Sequence, residues 1–155
     1  MLFRSAKRSD TDGIIEVWKE HMDFHSGIYP LFTRTADGHE RFAEFLSEHW
    51  NDDDWALFVA DEEGRIVGYC LATILDYPPV FDIRSFGFIQ DMAVSAEYRR
   101  RGIGTGLLDR LVVWFKERGV RRIELQALIG NEVSQSFWRQ RGFTPYLNRY
   151  ARNMT

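Results

Sequence analysis

Arg99-Arg100-Arg101-Gly102-Ile103-Gly104 is the stretch around which the rest of this 155-residue chain is ordered. The apolar run Phe88-Ile89-Gln90-Asp91-Met92-Ala93-Val94 precedes it and reads as a strand. Leu107-Leu108-Asp109-Arg110-Leu111-Val112-Val113-Trp114-Phe115 follows and reads as an amphipathic helix. Strand, basic residues, glycines and helix start together make a seat for a pyrophosphate. The first turn of a helix leaves its N–H groups unpaired, and the helix dipole adds about half a positive charge there. Glycine lets the backbone approach an anion with no Cβ in the way.

Working outward, Leu2 to Ala6 alternates as a short strand, and Ser9-Asp10-Thr11-Asp12 is a helix-start cluster. Ile14, Ile15, Val17, Trp18 and Met22 then recur at helical spacing until His25 to Pro30 breaks the helix. A second helix is expected from Asp37 to His49. Trp55–Ala60 and Ile66–Leu75 are strands about the hairpin signal Asp61-Glu62-Glu63-Gly64-Arg65. Asp76 to Ser85, with Pro78-Pro79, is a loop, and the strand of residues 86–94 follows. Beyond the glycine turn and its helix, Gly119 is a helix C-cap and Arg122–Ala127 a strand. Asn131–Arg141 reads as a helix closed by Gly142, and Thr144–Asn153 as a last strand or hairpin. The order is βααβββαβαβ in one domain, residues 1–155, of α/β (α+β) class: a mixed, mostly antiparallel central sheet with helices on both faces.

Bulk composition narrows the partners. One cysteine, Cys70, excludes an internal disulfide and a thiolate zinc site. His21, His25, His39 and His49 show no metal-ligand spacing, so no metal is expected. Residues 1–90 hold eight Lys/Arg against seventeen Asp/Glu, whereas residues 91–155 hold twelve against six. An anion is therefore expected in the second half and a cation at the first. The basic residues do not interleave with aromatics in a stripe, which argues against nucleic acid. Met1 to Ser9 lacks the apolar core of a signal peptide, and no run reaches the ~20 apolar residues of a membrane span. A cytoplasmic location without membrane contact is the expectation.

Three uses of the glycine turn compete. A nucleotide P-loop needs Gly-Lys-Ser/Thr, but Gly106 is followed by Leu107-Leu108. A dinucleotide site wants its glycines at the strand end, whereas Ser95 to Arg101 intervenes here. The third use rests on a resemblance. The run from Asp91 to Gly104, with Arg99, Gly102 and Gly104, is similar to the acetyl-CoA signature Gln/Arg-x-x-Gly-x-Gly/Ala of the GNAT superfamily of N-acetyltransferases. Downstream, Asn131-x-x-Ser134-x-x-Phe137-Trp138-x-x-x-Gly142-Phe143 resembles that family's Asn-x-x-Ala-x-x-Leu/Phe-Tyr-x-x-x-Gly-Phe helix. The likeness is sharp from Ile89 to Phe143 and loose before Trp55.

The resemblance implies a GNAT-like fold and transfer of acetyl from acetyl-CoA to a primary amine by direct attack. It implies that the backbone of Arg100, Arg101, Gly102, Ile103, Gly104 and Thr105 holds the pyrophosphate, with charge from Arg99 to Arg101. The pantetheine arm would pair along Met92 and Val94. The strand would be bulged just after Asp91, and the N–H of Met92 or Ala93 would polarise the thioester carbonyl. Asn131 would touch the pantetheine arm or cap its helix, Phe137 and Trp138 would line the arm, and Asp91 would take a proton from the ammonium or bind it.

Trp138 departs from the pattern, because many relatives carry a tyrosine acid there and an indole N–H delivers no proton usefully. Ser134 and Tyr150 are the alternative acids on that reading, with Tyr146 near them. Asp23, Tyr29, Tyr77 and Asp91 would form an acidic, aromatic rim for a small cationic amine, an amino acid derivative or a peptide. A homodimer is compatible with the sequence, and a non-catalytic acyl-CoA-binding sensor or subunit is the alternative to an enzyme.

Overall fold

The structure, a computed structural model, describes all 155 residues. Its centre is a five-stranded sheet in which β1 (Leu2–Ser5), β2 (Trp55–Glu62), β3 (Arg65–Asp76), β4 (Ser85–Val94) and β5 (Ile123–Leu125) lie in chain order. The first four are antiparallel, and β5 joins β4 in parallel. The class expected from sequence is the class observed. The β2–β3 hairpin turns on Glu63 (φ 53°) and Gly64 (φ 91°), whose positive φ values match the right-handed twist of the strands.

Helices cover both faces because the strands bury both. Along β3, Val67, Cys70 and Ala72 enter one core while Ile66, Tyr69 and Leu71 enter the other. The first core is closed by α3 (Ile103–Glu117), whose Ile103, Leu107, Leu108, Leu111, Trp114 and Phe115 recur at three- and four-residue steps. Trp138 of α4 (Glu132–Gln140) packs against the same core. The second core is closed by α1 (Thr11–Ile28) and α2 (Gly38–Glu48), through Ile14, Val17, Trp18 and Leu46. Each such side chain contributes about 1.5–3 kcal/mol on burial. Cys70 is completely buried, and burial pushes its thiol pKa up. No helix is long and apolar enough to cross a membrane.

Two expectations need correction. The last strand over Thr144–Asn153 does not form, and the element order ends at α4. Tyr146, Leu147 and Tyr150 all face solvent, so the segment has no buried face to fix a register, and β5 is only three residues long. The β4 bulge falls before Asp91 rather than after it. Leu71 of β3 faces Asp91 and the next residue, Ala72, faces Ile89, so Gln90 is the extra residue.

Candidate active site

The bulge at Gln90 sets the site by changing parity. Under strict alternation Asp91 would share a face with Ile89, in the α3 core. The extra residue turns Asp91 to the α1 face instead, beside Tyr69 of β3. Met92 and Val94 return to the α3 face, where both are partly buried, and Ala93 is buried under α1.

The same bulge marks where β4 and β5 part. Their parallel pairing covers Gly87–Ile89 against Ile123–Leu125 and goes no further. From Gln90 onward the outer edge of β4 is open. The Ser95 N–H donates to the Val67 carbonyl of β3 (2.9 Å). Antiparallel alternation then aims the backbone groups of Ala93 at β3 and those of Met92 and Val94 at the open edge. Arg99 Nε reaches the Val94 carbonyl from that side (3.4 Å). Of the two N–H groups singled out from sequence, that of Met92 is therefore on the cleft and that of Ala93 is not.

At the end of β4, a short 3-10 turn (Ala96–Tyr98) leads into the basic turn. Glu20 of α1 fixes this junction by accepting from Ser95 Oγ and from the Ala96 N–H, both at 2.9 Å. Arg100 (φ 65°) and Gly102 (φ 77°) are left-handed, and Gly102 is the N-cap of α3 with no side chain capping the first turn. The N–H groups of Ile103, Gly104 and Thr105 lie in that first turn without intrahelical partners, the arrangement that P-loops and dinucleotide folds use to seat an anion. Arg99 stacks over Phe24 of α1 (5.3 Å) and Arg101 over Tyr98 (5.0 Å). Arg141, beyond α4, donates to Thr105 Oγ1 at 2.6 Å.

α4 flanks the cleft on its far side. A Cβ on Gly104 would lie 3.3 Å from the Phe137 ring, so α4 and the start of α3 touch closely. Asn131 is buried and accepts from the Ser134 N–H (3.1 Å), the helix-capping one of its two expected uses. Trp138 Nε1 donates to Ser134 Oγ at 3.0 Å.

Above the cleft, Asp91 is tightly held. His21 Nε2 of α1 lies 2.8 Å from Asp91 Oδ1, and the Tyr69 hydroxyl donates to Asp91 Oδ2. The side chains of His21 and Asp91 are 22% and 18% exposed, so the pair is sheltered yet reachable. Burial first, and then Asp91, hold the Tyr69 pKa well above the usual phenol value, so it stays a donor. His25, one turn on, packs edge-on to His21 (4.1 Å), and its Nδ1 lies 2.8 Å from the His21 carbonyl. Burial pushes the His25 pKa down, which keeps that ring neutral. Sequence reasoning missed His21 and Tyr69. The only trace was the i, i+4 spacing of His21 and His25 on a helix already turned inward by Trp18 and Met22.

The rest of the expected rim is dispersed. Asp23 is exposed and bound by Arg34 through 2.8 and 3.2 Å contacts, so its charge is already matched. Tyr29 ends α1, half-exposed, with its ring 6.3 Å from Phe32. The Tyr77 hydroxyl donates to Glu124, which also takes Arg122 Nε (2.9 Å) and the Tyr146 hydroxyl (2.5 Å). Burial opposes ionisation of Glu124, but these three hydrogen bonds together hold its carboxyl below the usual range. Tyr150 is 88% exposed in the irregular C-terminal segment, apart from the Asp91 cluster.

Comparison with known proteins agrees with this geometry. The profile of the acetyltransferase (GNAT) family matches residues 16–143. The chain is 26% identical over 145 residues to an N-alpha-acetyltransferase of Sulfurisphaera tokodaii, spanning 90% of this chain and 78% of that protein. It is 30% identical over 140 residues to an uncharacterized N-acetyltransferase of Methanocaldococcus jannaschii, covering 90% of this chain and 59% of that one. A predicted acetyltransferase of Clostridium acetobutylicum, solved with acetyl-CoA, superposes with a TM-score of 0.78 at 24% identity, covering 98% of this chain and 95% of that one.

Proposed function

The chain belongs to the GNAT acetyltransferase family, and on that premise we propose that it transfers acetyl from acetyl-CoA to a primary amine. One observation carries this reading: the open edge of β4 past Gln90 runs straight into the uncapped start of α3. An extended arm bearing amides finds partners along Met92 and Val94, and a pyrophosphate finds the N–H groups that follow Gly102. The residues present thus fit acetyl-CoA, which supplies the activated acyl group. The Met92 N–H stands where it would polarise the thioester carbonyl.

The acceptor is an amine because a carboxylate, Asp91, stands next to that N–H and because the first half of the chain is acidic. Its range includes a small cationic amine, an amino acid derivative and the α-amine of a peptide. The last is supported by the relative named as an N-alpha-acetyltransferase.

Release of free CoA thiol from acetyl-CoA across a panel of amines and short peptides tests the reading. Amine-dependent release is the expected result, and the best acceptor names the class. Binding of acetyl-CoA with no release from any acceptor would leave a non-catalytic acyl-CoA-binding module in its place.

A further inference from the structure

Asp91 is the obvious proton acceptor by position, yet its two oxygens are both in use. Oδ1 faces His21 Nε2 at 2.8 Å and Oδ2 takes the Tyr69 hydroxyl. An incoming ammonium therefore meets a carboxylate already engaged on both oxygens.

The imidazole beside it offers a nitrogen with no partner at all. A carboxylate opposite Nε2 selects the tautomer with hydrogen on Nε2, which leaves the lone pair on Nδ1. His21 Nδ1 has no partner within the chain and is not enclosed, since the one enclosed and unpartnered side-chain nitrogen or oxygen is His39 Nδ1. Carboxylate, imidazole and an unpartnered ring nitrogen are the parts of a hydrolase triad with the two ring nitrogens exchanged. Asp91 orients the ring, and Tyr69 holds Asp91.

Place supports role. α1 lies across the mouth of the cleft: Phe24 meets Arg99 of the basic turn, and Ile28 meets the loop before α4, where a Cβ on Gly130 would sit 2.8 Å from Ile28 Cγ2. His21 is on the turn of α1 before Phe24, over Asp91, whose successor Met92 carries the cleft-facing N–H. The ionisable groups around His21 are Asp91 from β4, Tyr69 from β3 and His25 on its own helix, with Arg99 one turn on; α2 adds the Phe42 ring against Tyr69.

We infer that His21 is the catalytic base of the acetyl transfer and that Asp91 is a positioning residue acting through it, an inference that rests on the acetyltransferase reading above. His21 Nδ1 takes one proton from the substrate ammonium. The freed amine attacks the acetyl carbon, the C–N bond forms, the C–S bond breaks with its electron pair leaving on the CoA sulfur, and the attacking nitrogen loses its second proton to solvent to become the amide. The thiolate is protonated from solvent, and His21 returns its proton to solvent.

The test is the pH profile of amine-dependent thiol release for the wild type, His21→Gln, Asp91→Asn and Tyr69→Phe, with acetyl-CoA affinity measured alongside. In His21→Gln, kcat/KM falls about 100- to 1,000-fold, the acid limb moves to one set by the amine's own ionisation, and acetyl-CoA affinity stays within about twofold. The deficit shrinks at least about tenfold for a weakly basic acceptor such as trifluoroethylamine, which arrives already unprotonated. Asp91→Asn and Tyr69→Phe lower kcat at least about fivefold, with the amine KM within about twofold. His21→Asn replaces His21→Gln should the latter not fold.

An acid limb unchanged in both His21 variants, or an equal deficit for strongly and weakly basic amines, overturns the inference and leaves the ion pair a strut between α1 and β4. A wild type that binds acetyl-CoA but releases thiol with no amine overturns the acetyltransferase reading, and this inference with it.

Discussion

The indole N–H of Trp138 donates to the hydroxyl oxygen of Ser134 at 3.0 Å, one helical turn apart on α4. A hydroxyl that accepts from the indole keeps its own hydrogen to donate elsewhere. On the proposed function, Ser134 is placed to donate a hydrogen bond to the departing sulfur, which takes its proton from solvent. Ser134→Ala lowers kcat by about tenfold while the acetyl-CoA dissociation constant changes by less than about threefold. Steady-state kinetics and calorimetric titration on the same preparation check this.

Gly102 and Gly104 shape the anion seat in different ways. Gly102 holds φ 77° in open space, so an added methyl costs backbone strain, about 1 kcal/mol, and nothing by collision. Gly104 instead faces Phe137, so a valine there pushes α4 from the start of α3. Gly104→Val weakens acetyl-CoA binding at least about tenfold, and Gly102→Ala weakens it by about fivefold or less. Titration calorimetry, with melting temperatures as the folding control, ranks the two.

On the proposed function, the Arg99–Arg101 run is expected to act on phosphate rather than on the acyl arm. Arg99→Gln with Arg101→Gln weakens CoA binding and flattens its salt dependence. The same pair leaves the turnover of acetyl-pantetheine, which lacks the phosphates, within about twofold. Affinities at 50 and 300 mM salt measure the first effect, and exposed charges screened over about 10 Å at 0.1 M account for it.

Acid stability is expected to hinge on Arg4. Its guanidinium binds Asp10 at 2.7 and 2.9 Å and Asp61 at 2.8 and 3.1 Å, tying β1 to β2 and to the start of α1. Hydrogen bonding to Arg4 is the main cause holding both carboxyls below their ordinary 3.8. A carboxyl whose folded value is depressed stabilises the fold fully above its unfolded value and loses that contribution as pH falls through the folded one. Stability therefore falls below about pH 4, and less steeply in Arg4→Met, which is about 2 kcal/mol less stable at pH 7. Urea midpoints from pH 2.5 to 7 show both.

How far the sequence could be read depended on whether a feature was local. The basic turn, Gly102, the α3 stripe and the Asn131 cap are written in a few adjacent residues, and each is where the residue pattern places it. The setting of Asp91 is not local. It depends on Gln90 being skipped in the β3–β4 register, and alternation in β4 alone gives the opposite face. Its partner His21 is seventy residues away on another element. Asp23 and Tyr77 have the chemistry of a rim, but Arg34 and Glu124 meet them only in three dimensions. The C-terminal alternation of Thr144–Asn153 promised a strand, and it lacked a covered face to hold one.

Complete burial of Cys70, with its Sγ 3.7 Å from the Leu107 carbonyl, bears on how the chain would be handled at the bench and in a cell. A reaction that discharges a free thiol beside an accessible cysteine courts a mixed disulfide with its own product. Here the single sulfur is walled in and held as the unreactive thiol. The folded chain is thus silent to a disulfide-exchange dye, and colour developing under native conditions reports the coenzyme alone.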